Sequence, residues 1–142
     1  MGALICAATL AWLAALCVFD LTERRLPNWL TVPGAVAILA GATLAGRGVP
    51  AATGAVTLFA LYLAVHLLNP TAMGAGDVKL AAGVGALTGA FGVDVWMLAA
   101  LAAPLLTAGW AIVVLIRRGE STVPHGPSMC LAAAAAVSPA LI

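Results

Sequence analysis

The chain has 142 residues, of which 64% are hydrophobic and 8% charged, with a formal net charge of +1. A soluble domain carries about 25% charged residues, so the composition excludes an ordinary soluble fold and points to an integral membrane protein whose main surroundings are the lipid bilayer. Six dispersed cations make neither a nucleic-acid footprint nor a polybasic lipid-binding patch.

Gly2 to Phe19 is the first apolar run, close to the ~20 residues that span a hydrocarbon core. It lacks the positive start of a signal peptide and reads as a mature membrane helix. Asp20 ends it, and Leu21 to Asn28 is a polar loop in which Pro27 stops one helix and Asn28 is positioned to cap the next. Trp29 then falls at an expected interfacial position. A second helix is predicted from Trp29 to Ala45, a turn at Gly46 to Pro50, and a third helix from Ala51 to Leu68. Asn69-Pro70-Thr71 closes the third. A fourth, glycine-rich segment is predicted from Val78 to Ala90, where Gly85 and Gly89 have the spacing that lets helix backbones approach. Phe91 to Asp94 is a tight link, with Asp94 read as a solvated turn residue. A fifth helix is predicted from Val95 to Ile116, ended by Arg117-Arg118-Gly119-Glu120, and a short sixth from Ser128 to Ile142. The expectation is an all-α, polytopic membrane bundle of about six transmembrane helices, one domain over residues 1–142 (helices about 2–19, 29–45, 51–68, 78–90, 95–116 and 128–142).

Cys6, Cys17 and Cys130 form no C-x-x-C pair and lie in apolar runs, where cysteine packs as a small hydrophobe. The cations set an orientation. If six segments alternate, Arg24, Arg25, Lys79, Arg117 and Arg118 share one side and Arg47 stands on the other. The positive-inside rule makes the first set cytoplasmic and puts the N-terminus outside. Asp20, Asp77 and the loop Pro124-His125-Gly126-Pro127 then fall at one face.

Ionisable groups inside a membrane are expensive and are seldom idle. Two carboxylates sharing a partly desolvated site divide their roles, because repulsion and burial keep one protonated while the other ionises. Such a pair supplies both an acid and a base for hydrolysing a peptide bond, with neither metal nor cofactor. Gly74 and Gly76 flank the second carboxylate in Gly74-Ala75-Gly76-Asp77-Val78-Lys79-Leu80, and glycine leaves room for a substrate backbone to come close. Lys79 either neutralises part of that site or snorkels to the headgroups.

That stretch resembles the GxGD signature of intramembrane aspartyl proteases, in the form found in the type IV prepilin peptidase family. Asp20 with Arg25-Leu26-Pro27-Asn28-Trp29 resembles that family's first catalytic aspartate and its Arg-Ile-Pro-Asn element. Val123-Pro124-His125-Gly126-Pro127 resembles its late Pro-Phe-Gly-Pro loop, with His125 replacing the usual aromatic residue. The resemblance implies Asp20 and Asp77 as the catalytic pair, with Gly74, Gly76, Lys79, Arg25, Pro27 and Asn28 shaping or supporting the site. It implies a peptidase of the cytoplasmic (inner) membrane that removes the short basic leader of a prepilin or pseudopilin. Nothing in the 142 residues matches the cysteine-paired domain of the larger members. Cleavage without N-methylation is therefore implied, as in the compact branch serving Flp-type, tight-adherence pili or its archaeal counterparts.

Blander readings compete. Glu23, Arg24 and Arg25 alone would be solvated loop charges, and Asp20 alone a helix-end carboxylate. His66 reads as a satisfied polar residue in a bundle rather than a metal ligand, His125 as a loop residue near the substrate's approach, and Tyr62 as packing. From other classes, a small proton-coupled transporter or channel subunit would use the aspartates as a relay but prefers acids at mid-membrane and broken helices in related halves. A non-catalytic assembly protein would not need to keep both carboxylates.

Overall fold

A computed structural model describes residues 2–117 and 123–141. It contains six helices: α1 (Gly2–Glu23), α2 (Asn28–Leu44), α3 (Gly48–Leu68), α4 (Ala75–Phe91), α5 (Val93–Ile116) and α6 (Gly126–Leu141). The protein is an all-helical membrane bundle. Three helices are long and apolar enough to cross a bilayer, Leu4–Glu23, Gly48–Leu68 and Val93–Ile116, while α2 is shorter. Leu44, Leu68, Leu105 and Leu115 are all largely exposed, as lipid-facing side chains are. The expected terminators Arg118, Gly119 and Glu120, and the final residue Ile142, lie outside the described residues.

The helices begin earlier than the sequence pattern predicts where glycine or proline leads into them. α4 opens at Ala75 with Gly74 as its cap residue, so Asp77 lies in the first turn. α3 takes in Gly48 to Pro50, since proline costs nothing in a first turn, where its missing N–H has no partner to lose. The turn before it is made by Gly46 at φ +74°. Gly92, at φ +120°, makes the abrupt link from α4 to α5, and exposed Asp94 belongs to the first turn of α5 rather than to the link. α1 continues through Asp20 to Glu23. It closes on Arg24, whose left-handed φ of 50° lets its N–H bond the Asp20 carbonyl at 3.1 Å.

α4 is the central helix, buried from Leu80 to Gly89 on almost every face. Its tightest partner is α3. A Cβ on either Gly54 or Gly85 would run into the other's carbonyl oxygen, and one on Gly89 would lie 2.6 Å from the Pro50 oxygen. The backbones therefore meet directly, as the Gly85/Gly89 spacing suggests. The Trp96 indole N–H donates to the Gly54 carbonyl at 3.0 Å and fastens α5 to the same seam. The core gathers where Leu16, Leu58, Leu80 and Met129 meet, drawn from α1, α3, α4 and α6. Cys130 is buried there with Cys17 against it, both as free thiols.

Candidate active site

The structure brings one end of α1, α4 and α6 together. Asp20 projects from the last turns of α1 and is 7% exposed. Its Oδ2 accepts the Gly126 backbone N–H at 3.0 Å. Gly126 is the first residue of α6, and the Met129 N–H bonds the His125 carbonyl at 3.1 Å to close the first turn. Asp20 thus lies at a helix N-terminus, where unpaired N–H groups and the macrodipole favour an anion. Only glycine fits at position 126, because a Cβ there would sit 3.0 Å from the Asp20 Cγ.

Asp77 occupies the first turn of α4, ahead of the apolar stretch, with its backbone N–H bonded to the Gly74 carbonyl at 3.1 Å. Burial pushes its carboxyl up to about 6, the nearby Asp20 charge adds to this, and a hydrogen bond from the Gly74 backbone opposes it. Each carboxylate therefore sits at the positive end of a helix, and the Asp20 charge acts on Asp77. A proton held on the pair has two unequal hosts, the arrangement that lets one group donate while the other accepts.

The supporting residues have specific contacts. Gly76 does not open onto free space. A Cβ there would lie 3.2 Å from the Leu26 Cβ, so this glycine seats the α1–α2 loop on α4. Gly74 is exposed, and a Cβ on it would come 3.3 Å from the Asp77 Oδ2. The expected Asn28 cap is corrected: the cap residue of α2 is Pro27, without any side-chain cap bond. The Leu30 and Thr31 N–H groups both bond the Pro27 carbonyl at 3.1 Å. The Asn28 side chain instead accepts from the Lys79 ammonium at 2.8 Å, which makes Lys79 a brace between α4 and α2. Arg25 is exposed on the loop. Trp29 is exposed beside it and meets Phe19 edge-on at 5.6 Å. His66 is occupied elsewhere, its Nδ1 2.7 Å from the Met73 carbonyl, where it anchors the segment leading into Gly74.

Sequence reasoning missed a polar chain behind the site. The Tyr62 hydroxyl lies 2.9 Å from His125 Nε2, and the Thr107 hydroxyl lies 2.6 Å from His125 Nδ1. Thr107 spends its own proton on the Ala103 carbonyl at 3.1 Å, so it accepts from Nδ1–H, and the Tyr62 hydroxyl donates to Nε2. The network assigns this neutral tautomer, and burial, which pushes the His125 imidazole below its usual range, agrees with it. α3 and α5 thereby grip the residue next to Gly126. The available signal was that Tyr62 is the chain's single tyrosine, set in an apolar span where its hydroxyl needs a partner.

Fold and site define a helical membrane protein with a carboxylate pair at one end of the bundle. The chain matches the type IV leader peptidase family over residues 7–116 and belongs to that family; it is a peptidase of the membrane. Comparison with curated proteins gave no match, and comparison with solved structures gave none. The His125–Gly126 loop lies beyond the matched segment and joins the site through the Gly126–Asp20 hydrogen bond.

Proposed function

We propose that this protein is an aspartic endopeptidase of the cytoplasmic membrane that removes the short basic leader of prepilin-like proteins at the cytoplasmic face, without methylating the new N-terminus. The observation that carries the reading is the convergence of Asp20 and Asp77, remote in sequence, at one desolvated end of the bundle, close enough for one charge to act on the other.

Asp20, bonded by the Gly126 N–H, takes a proton from water as the oxygen attacks the scissile carbonyl carbon. Asp77, whose carboxyl burial holds in the protonated form to about pH 6, gives its proton to the carbonyl oxygen. The tetrahedral diol collapses when Asp20 returns its proton to the leaving nitrogen and Asp77 recovers one from the hydroxyl. No covalent intermediate forms. The cations support the orientation. Arg24 and Arg25 follow α1 beside Asp20 and Lys79 braces the Asp77 end of α4 on Asn28, whereas Arg47 bonds the Ala90 carbonyl at the far end of the same helix. The first end then faces the cytoplasm, where a basic leader arrives.

The test is reconstitution in phospholipid vesicles with candidate prepilins, followed by mass spectrometry of the product. The expected product is a single new, unmethylated N-terminus just before the pilin's hydrophobic segment. Intact prepilin with every candidate, or cleavage within the hydrophobic segment, contradicts the proposal.

A further inference from the structure

The end of the bundle opposite Asp20 and Asp77 holds a cavity that the peptidase chemistry does not use. α1 and α2 touch little, and α4 and α6 close the back of the wedge between them, leaving about 720 Å³. Leu10, Leu13, Ile38, Ala42, Leu87 and Val137 form much of its wall. Polar atoms in the wall are already used: Thr9 donates to the Ile5 carbonyl at 2.9 Å and Ser138 to the Ala134 carbonyl at 2.7 Å. The wall therefore accepts hydrocarbon.

Depth and closure decide what fits. The lining runs from Ile5 to Leu13 on α1 and from Gly34 to Ala45 on α2, roughly 12 and 16 Å of helix, or about half of a ~30 Å hydrocarbon core. At its inner limit the Trp12 ring is wedged against Gly34 and Gly83, and its indole N–H donates across to the Leu30 carbonyl at 2.9 Å. At its outer limit stands Arg47, exposed, bonded to the Ala90 carbonyl at 3.2 Å and stacked 5.6 Å over the Phe91 ring. A membrane-spanning substrate helix does not fit a recess closed halfway across the bilayer. One acyl chain does, and it brings a phosphate to the level of the guanidinium.

We propose that this cavity is a binding site for an anionic glycerophospholipid, one acyl chain filling the wedge among α1, α2, α4 and α6 and the headgroup phosphate lying on Arg47. The lipid completes the packing of α1, the helix that carries Asp20.

Native mass spectrometry of the protein in mild detergent, offered equal phosphatidylglycerol and phosphatidylethanolamine of the same chains, tests this. The expected result is one retained lipid per chain, phosphatidylglycerol preferred about fivefold, the discrimination that one interfacial arginine supplies. Gly41→Trp, placed where a Cβ meets nothing within 4 Å, abolishes retention, as does Ala37→Trp from an exposed lining position. Arg47→Gln retains lipid but loses the preference. Equal retention by wild type and both tryptophan variants overturns the proposal, as does equal binding of the two lipids by wild type. Loss of prepilin cleavage in the tryptophan variants with lipid retention unchanged also overturns it, because the cavity is then a substrate groove.

Discussion

The seam between α3 and α4 and the wedge between α1 and α2 are both built from apolar helices, yet they pack in opposite ways. At the seam, Gly54, Gly85 and Gly89 bring no side chain of their own to the crossing, and backbone meets backbone. At the wedge, Gly41 points a missing side chain into open space and the helices stand apart. In a bilayer the hydrophobic effect does not choose between these outcomes, because lipid tails are as apolar as leucine; close fit and internal hydrogen bonds do. The two carboxylates are consequently held by different means. Asp77 rides on the tightly seated α4. Asp20 rides on α1, which packs on α6 but touches α2 little, and its carboxylate accepts the Gly126 N–H, whose neighbour His125 is held by Tyr62 and Thr107.

The largest effect follows from breaking the site itself. Loss of either carboxylate is expected to reduce cleavage by about a hundred- to ten-thousandfold, whichever packing regime surrounds it. The next largest effect is on stability and separates the two regions. Gly85→Ala is expected to destabilise the fold by about 1–3 kcal/mol, because only backbone movement relieves the clash with Gly54. Gly41→Ala is expected to leave stability unchanged or raise it, up to the ~1 kcal/mol helix preference of alanine over glycine. Thermal unfolding in detergent of both variants reads the difference, and equal destabilisation would erase it.

Protonation sharpens the comparison further. Asp77 acts as the acid, and burial raises its carboxyl to about 6, so its working form is present below that value and is lost as pH rises through it. A pH series of kcat/KM is expected to decline from about pH 6, approaching about tenfold per unit well above it. A profile flat from pH 5 to 8 contradicts the assignment. The smallest effects belong to the polar chain. Tyr62→Phe and His125→Phe each remove hydrogen bonds worth about 0.5–1.5 kcal/mol, so cleavage should slow roughly two- to tenfold with KM little changed. Gly126→Ala, which forces the Asp20 carboxylate to move, is expected to slow cleavage by more than either.

The sequence made some of this legible and not the rest, for physical reasons. Asp20 and Asp77 stand out because charge is scarce and costly in so apolar a chain, and the first, second, third and fifth helices follow from long apolar runs, whereas the fourth and sixth segments are too short to be read by length alone. Gly85 and Gly89 announce a close contact by their spacing, though not that Gly54 is the partner. Helix starts shift by up to three residues because glycine and proline mark a boundary without fixing which residue begins the helix. Asn28 is a good capping residue in isolation. It does not cap here because Pro27 takes the cap position and Lys79, far along the chain, claims its side chain. His125 with Tyr62 and Thr107 was illegible for the same reason. The three come from the last loop, α3 and α5, and only tertiary packing makes neighbours of them.

The central claim is that Asp20 and Asp77 form one catalytic unit despite their different settings. Cleavage of a co-expressed prepilin by wild type, Asp20→Asn, Asp77→Asn and the double variant, each matched for membrane-inserted protein, measures it most directly. The account predicts complete loss in both single variants and no further loss in the double. Full processing by either single variant would contradict it.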